Sequence, residues 1–490
     1  MAYLRRRSAL QGLGLLTLSG LWPKILQAES IPAEQSWDVI AVGAGAAGFA
    51  AAIAAREAGA RKVLLIEKMA LAGGHMLVSS GMLNALDPEG QKRMGRTDSA
   101  EQFFRDTFEG GGGIGNPELI ERMVKESPGV ISWLKSIGVE FDPKLYEAYS
   151  GVFPRAHKTT RARSGLAYTQ RLLARARALG VEIRYRTSAQ GIALDAGGQA
   201  AGLVVQTPDG KTETLSARGV VLATGGFGAN LSLRSIWAPD IPVDLGTTYS
   251  PGRMNEDPAT GDGIRMTLSA GGAVTGMEYI LAIPFWGGRM LDYPGAEIFL
   301  TTDGMRFTDE TAAWDTVFSD LLATGATEFW VVTDSRSVKG ATFATKMQQG
   351  LADSAETLEE LARKMGVPLK RLERTFRLYN EAARNDMDPE FGRTRFLQDL
   401  SKPPYYFGRE RFEVHYTCGG IAVLPDARVR KGSEFSSEAI PGLYAAGETT
   451  GGLHGKFRLG GSGLLDAFVF GRIAGKNAAL HALRDQAKPL

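Results

Sequence analysis

The chain has 490 residues, 44% of them hydrophobic and 22% charged, with a formal net charge of +2. That length accommodates two or three domains with real cores, and the near-neutral balance, with no basic run interleaved with aromatics, argues against a nucleic-acid partner. A single cysteine, Cys418, excludes an internal disulfide, a dithiol redox pair and a four-thiolate zinc or iron–sulfur site, and five histidines without a His/Asp cluster leave no set for metal catalysis.

In chain order, residues 1–28 read as an export segment. Arg5–Arg7 precede a moderately apolar run from Ala9 to Trp22, and a small-residue cleavage point lies near Ala28. Twin arginines followed by Ser-Ala-Leu-Gln loosely match the twin-arginine signal, which exports folded, cofactor-loaded proteins, so a periplasmic location is expected. An amphipathic N-terminal anchor is the alternative. The run is too short and too rich in glycine and threonine for a membrane span of ~20 residues.

The stretch WDVIAVGAGAAGFAAAIAAREAGARKVLLIEK (Trp37–Lys68) reads as a strand, a glycine turn, an alanine-rich helix and a second strand ending in Glu67. Gly43-x-Gly45-x-x-Gly48, with an acid 19 residues after the last glycine, is the dinucleotide fingerprint. Its glycines let backbone approach a pyrophosphate, the helix N-terminus holds the charge, and Glu67 accepts from a ribose hydroxyl. Two further apolar strands run into glycines, in RGVVLATGGFGAN (Arg218–Asn230) and IPGLYAAGETTGG (Ile440–Gly452). Three such ends spread over the chain imply one nucleotide domain assembled from distant segments. Between them, over 283–414, glycine motifs thin out, and SAETLEELARKMGVPLKRLERTFRLYNEAARN has the three- and four-residue apolar spacing of an amphipathic helix pair. This is read as an inserted second domain.

The first fingerprint suits NAD or FAD. The second and third glycine motifs favour FAD, because a permanently held flavin needs contacts along its ribityl chain and ring. The motifs GAGAAG…EK, AGGHMLVSSGMLNA, LATGGF, GDG, HYTCGG, GLYAAGETTGGLHG and RLGGSGLLDAFVFGRIAG occur in the order seen in the fumarate reductase/succinate dehydrogenase flavoprotein family. From Trp37 to Ala479 the chain resembles the soluble branch, with its flavocytochrome fumarate reductases and urocanate reductases.

That resemblance implies an α/β fold: a Rossmann-like FAD-binding domain built from discontinuous segments, 36–282 and 415–490, with an inserted α+β capping domain, 283–414. It implies FAD contacts at Gly43, Gly45, Ala47, Gly48, Glu67 and Lys68 in the first motif, and at Gly74, His75, Met76 and Gly81 in the second. Ala223, Gly225 and Asp262 follow from the middle motifs, and Glu448, Gly463 and Leu464 from the last two. It implies hydride transfer between flavin N5 and one carbon of an activated C=C bond, with a proton exchanged at the neighbouring carbon. In the family, the arginine of R-L-G-G clamps a substrate carboxylate and the first position of H-H-T-x-G-G helps hold it; here these are Arg458 and His415. His454 is expected to support the site from behind, and Cys418 to be a buried neighbour of it.

The departures concern the proton. The family's proton-donating arginine, four residues beyond the glutamate of the segment that includes Arg306 (DGMRFTDE, Asp303–Glu310), falls at Trp314. A substrate-binding histidine of the capping region falls at Ile283. Tyrosine beside a cationic arginine acts as acid or base, so Tyr293, Arg289 and Tyr416 are the replacement candidates. Trp314, with Phe285 and Trp286, suggests a flatter, more apolar pocket for a ring-bearing substrate. His75 lies where membrane-bound succinate dehydrogenases carry their covalent flavin histidine, which leaves both a covalent link and non-covalent packing open.

Three functions follow. The first is reduction of an α,β-unsaturated carboxylate with electrons from a separate redox protein, a cytochrome or a quinol oxidoreductase, since the chain has no C-x-x-C-H for a haem. The second is the reverse reaction, dehydrogenation of a saturated or cyclic oxo carboxylate. The third is a non-catalytic flavin electron carrier.

Overall fold

The computed structural model describes residues 26–27, 36–148, 152–160, 164–249, 256–340 and 342–486. They fall into two units. The larger comprises the described residues up to Val243, Asp257–Ile280 and those from Tyr416 onward; the smaller comprises Asp244–Glu256 and Leu281–His415.

In the larger unit the strand Trp37–Val42 is buried from Asp38 to Val42, with no face turned to solvent, so it occupies the middle of a parallel sheet. It pairs in parallel with Val63–Ile66 on one side and Thr212–Leu222 on the other. Glu182–Arg184 extends the sheet beyond Val63–Ile66, and Ala439–Ala445 extends it beyond Thr212–Leu222. The registers bring Arg184, Ile66, Val42, Leu222 and Ala445 level. Glu67, Gly43, Ala223 and Ala446 therefore leave the sheet along one carboxyl edge, which is where open α/β sheets bind their ligands. Thr212–Leu222 also carries an antiparallel extension through Ala200–Gln206 to Ser188–Leu194. Leu26–Gln27 pairs with that last strand; the rest of the expected export segment lies outside the described residues.

The alanine-rich helix, Ala46–Glu57, is buried from Ala46 to Ala55, with the C-terminal helix, Ser462–Gln486, packed on it. The contact is backbone to backbone. A methyl group at Gly471 would stand 2.5 Å from the Ala47 carbonyl oxygen, and one at Gly475 only 1.9 Å from that of Ala51. Glycines four residues apart thus seat on alanines four residues apart, which fixes the register of the two helices.

The smaller unit is built on a sheet in the order Ile280–Pro284, Tyr405–Thr417, Glu328–Thr333, Ile298–Leu300, with Asp353–Ala355 also paired to Tyr405–Thr417. Leu361, Phe376 and Tyr379 pack with Ile298, Leu300 and Val332 in its core. The expected helix pair is present as Leu358–Met365 and Leu369–Asn385, broken where Gly366 takes φ +71° and Pro368 precedes the second helix. The unit also takes in Asp244–Glu256, a segment that the sequence assigned to the FAD-binding domain. The reason is backbone pairing: Val414 N–H donates to the Gly246 carbonyl at 3.0 Å, and Thr248 N–H to that of Val414 at 2.9 Å. Among the described residues no helix is long and apolar enough to cross a membrane.

The helix crossing tests the fold directly. Gly475→Val should cost about 1–3 kcal/mol or more, by overpacking against fixed backbone. A lowered thermal midpoint would show it in calorimetry, and an unchanged midpoint would contradict the packing described.

Candidate active site

The three fingerprint glycines divide between two jobs. Gly43, at φ +101°, would place a methyl 2.4 Å from the Ala223 carbonyl oxygen, and Gly48 would place one 1.7 Å from that of Gly43. Both are demanded by packing. Gly45 has nothing within 4 Å of its missing side chain. It is the N-cap of helix Ala46–Glu57, at φ −86°, and no side chain caps that end. Orphan backbone N–H groups there, beside open space, make an anion cradle. Gly225, at φ +73°, also faces open space, and Gly74, at φ +49°, has only Gly45 Cα, 3.8 Å from its missing methyl.

Around the cradle the acids are held by backbone. Glu67 is buried and accepts from the N–H groups of Ala44 and Met69, each at 2.8 Å. Lys68 is bound to Asp262 at 2.8 Å and to the Thr260 hydroxyl at 2.6 Å. Burial opposes ionisation of Asp262, but Lys68 and Arg265 outweigh it and lower its pKa. Lys68 and Asp262 therefore hold each other. Ala47 packs against Gly447 and Gly471, Met76 and Ala223 are buried, and the Gly81 carbonyl accepts from Tyr168 Oη at 3.1 Å, so these residues shape walls. The open glycines, the uncapped helix end and the fixed Glu67 fit the ADP half of FAD.

His75 stands between two carboxylates. Its Nε2 is 2.7 Å from Asp257 Oδ1 and its Nδ1 is 3.5 Å from Glu448 Oε2. Glu448 in turn accepts from Thr417 N–H at 3.1 Å. Burial lowers the imidazole pKa, but the two carboxylates prevail and push it up to about 10.

A second cluster of the same unit surrounds Arg458. The turn carrying it is held by buried Asn84, whose amide donates to the Gly460 carbonyl at 2.8 Å and whose N–H donates to that of Gly461 at 2.9 Å. Arg458 is buried, with its guanidinium 4.9 Å from the Tyr416 ring centre; its Nη1 donates to the Leu459 carbonyl at 3.0 Å. No carboxylate of the described residues pairs with it, and its Nε has no hydrogen-bond partner. Tyr416 Oη donates to Asp466 at 3.1 Å, and buried His454 lies 3.4 Å from the same Asp466 oxygen, edge-on to the Tyr416 ring. Burial, then the charges of Asp466 and Glu448, raise the Tyr416 pKa well above the ordinary phenol value, so it keeps its proton. Gly463 faces both Arg458 and Tyr416, with Leu464 half-buried beside it. Cys418 is buried and its N–H donates to the Tyr279 carbonyl.

Tyr416 is thus the member of the HYTCGG motif set against Arg458. His415 belongs to the smaller unit, where its Nδ1 is 2.9 Å from Thr248 Oγ1. In that unit Ile283 is half-buried on strand Ile280–Pro284. The Tyr293 hydroxyl accepts from Val338 N–H at 2.9 Å. Arg289 binds buried Glu297 at 2.7 Å and lies over the Trp314 ring. Two expectations are corrected. Arg306 does not line a pocket: it is buried in an internal network with Glu310 at 2.7 Å and Asp388 at 2.8 Å. Trp314 does not shape a flat pocket either, since it is buried between Phe299 and Phe412 in the core. Asp257 and Asp466 escaped the sequence reading. Asp466 had a signal, as the one charge in the apolar run GLLDAFVF.

A family model described as an FAD binding domain matches residues 38–464. A probable fumarate reductase of Shewanella frigidimarina is 31% identical, over 94% of this chain and 78% of its own length. The urocanate reductase of Eggerthella lenta is 31% identical, over 90% of this chain and 74% of its own. The open conformation of a flavocytochrome c3 fumarate reductase has a similar structure, with a TM-score of 0.76 at 30% identity, covering 92% of this chain and 79% of that one.

The division of labour among the glycines predicts opposite outcomes. Gly45→Val should leave apoprotein stability within about 0.5 kcal/mol of wild type while the flavin-to-protein absorbance ratio falls at least roughly tenfold; Gly48→Ala should yield no folded protein. The His75 cluster predicts a pH dependence. A pKa raised from 6.5 to about 10 gives stability that is fully present below 6.5 and lost as pH rises through about 10. Urea unfolding of the apoprotein across that window should show declining stability, and His75→Gln should flatten the slope.

Proposed function

We propose, because the chain belongs to the fumarate reductase/succinate dehydrogenase flavoprotein family and is an FAD-dependent oxidoreductase of the CH–CH group, that it reduces the C=C bond of an α,β-unsaturated carboxylate. One observation carries this reading. Arg458 is buried without a carboxylate partner among the described residues, whereas buried Arg306 and Arg155 are each paired with two. An uncompensated buried charge costs several kcal/mol, so this guanidinium calls for an anion from outside the chain. A carboxylate answers it bidentately.

When bound, FAD supplies the hydride, at its N5, that one alkene carbon receives. The residues of the chain do the rest. Arg458 holds the substrate carboxylate and draws off the negative charge that develops on it as the second carbon becomes basic. Tyr416 keeps its proton, stands under Arg458 and is oriented by Asp466, so the proton for that carbon is assigned to its Oη. Trp314 has no acidic proton, and Arg289 is committed to Glu297. Electrons come from a separate redox protein, and the twin arginines near the N-terminus support export to the periplasm.

The reverse reaction is the second reading, favoured by the loss of an arginine acid at Trp314. Two anaerobic screens separate them: enoates against the prereduced enzyme, read as flavin reoxidation, and saturated analogues against the oxidised enzyme, read as bleaching. Reoxidation by an enoate without bleaching by its product is the expected result, and the opposite pattern would reverse the direction. Arg458→Gln should cost about 2–5 kcal/mol, roughly 30-fold to several thousand-fold in kcat/KM. Tyr416→Phe should abolish turnover while carboxylates still perturb the flavin spectrum. A fully active Tyr416→Phe enzyme would move the acid elsewhere, and if no carboxylate perturbs that spectrum even in wild type, the chain is an electron carrier.

A further inference from the structure

The helix Gly74–Val78 starts beside the pyrophosphate cradle, with Gly74 next to Gly45, and it carries His75 into the cofactor site. Both ring nitrogens of His75 meet carboxylates: Nε2 meets Asp257 at 2.7 Å and Nδ1 meets Glu448 at 3.5 Å. Each carboxylate is also held by backbone: the Asp257 oxygen that meets His75, Oδ1, accepts from Ala259 N–H at 2.7 Å, and the other Glu448 oxygen, Oε1, accepts from Thr417 N–H at 3.1 Å. An ionised carboxylate only accepts, so an imidazole nitrogen facing one must bear a hydrogen. Two such nitrogens make a cation.

We propose that His75 is an imidazolium clamped between Asp257 and Glu448, and that FAD is therefore held without a covalent bond to this chain. An imidazolium has no ring lone pair with which to attack the flavin methyl group, and nucleophilic histidine requires one. The position of the pKa, raised by the same two carboxylates against the effect of burial, agrees with a ring that stays charged through the neutral range. The cation also has a binding role. FAD brings a negatively charged pyrophosphate into a site that already holds Glu67, Glu448 and Asp257, and His75, shared between the last two, offsets one of those negative charges. Its loss would leave them facing an anionic cofactor.

This inference rests on the FAD cofactor and is independent of the substrate class, so it stands or falls separately from enoate reduction. Acid precipitation of the holoenzyme should leave all the yellow colour in the supernatant; flavin in the pellet overturns the proposal. In holoenzyme labelled with 15N at histidine, the His75 signals, assigned by their absence in His75→Gln, should have imidazolium shifts at about pH 8. A neutral tautomer there overturns it. His75→Gln should weaken FAD binding tenfold or more, and His75→Gln with Asp257→Asn should recover most of that loss. Unchanged FAD affinity in the single variant, or no recovery in the double, overturns the binding role. If His75→Gln does not fold, the precipitation test on wild type still decides the absence of a covalent link.

Discussion

The contact between Gly48 and the Gly43 carbonyl, with no room for a methyl group between them, is the constraint on which the larger unit depends. It lets helix Ala46–Glu57 start against the end of strand Trp37–Val42, and so points the uncapped end of that helix at the carboxyl edge of the sheet. The level strand ends then bring Glu67, Ala223 and Ala446 to the same edge from segments as far apart in sequence as Gly43 and Ala446. The C-terminal helix closes the arrangement from the far side, seating Gly471 and Gly475 on Ala47 and Ala51. Small residues are used here for the distance they permit between backbones, whereas at this edge Gly45 and Gly225 face open space and Gly74 has only Gly45 beside it.

Buried arginines are treated in two ways. Arg306 shares Glu310 with Arg393 and adds Asp388, and Arg155 is bound by Asp98 and Asp106; these charges are cancelled internally and serve to fix loops. Arg458 is given a carbonyl, an aromatic face and no counter-ion among the described residues. The asymmetry matters because desolvated charge is expensive, and it is the ground for the proposal that Arg458 meets an anion from outside the chain. Asp466 meets Tyr416 and His454, which holds the phenol in one orientation.

Trp314 shows how a departure from a family pattern can be misread from residue type alone. A tryptophan where relatives carry an acid suggested a pocket shaped for a flat substrate. It begins helix Trp314–Ala323, stacks on Phe299 with its edge to Phe412, and takes the Arg289 guanidinium on its face. Its neighbours make it part of the core, and the proposed chemistry is therefore sought among the residues beside Arg458. His75 is the opposite case, a residue whose position suggested reactivity and whose partners remove it.

Periodicity and glycine spacing were enough for the strand–turn–helix of Trp37–Ile66, the three strand ends, the helix pair after Thr357 and the cofactor class, because each of these is a local rule about backbone reach or apolar repeat. The motif around Arg458 suggested an anion-holding role for it, on which the proposed function rests. What only packing decided were the pairings among charges. Whether an arginine is spent on a glutamate, as Arg306 is, or left without one, as Arg458 is, depends on which segments the sheet brings together. Asp257 joins His75 across 182 residues, and Asp466 joins Tyr416 across 50. No spacing rule spans such distances, since side-chain charge has no period. The same ionisable residue becomes reagent, clamp or core by its neighbours, and those are assigned only when the chain is folded.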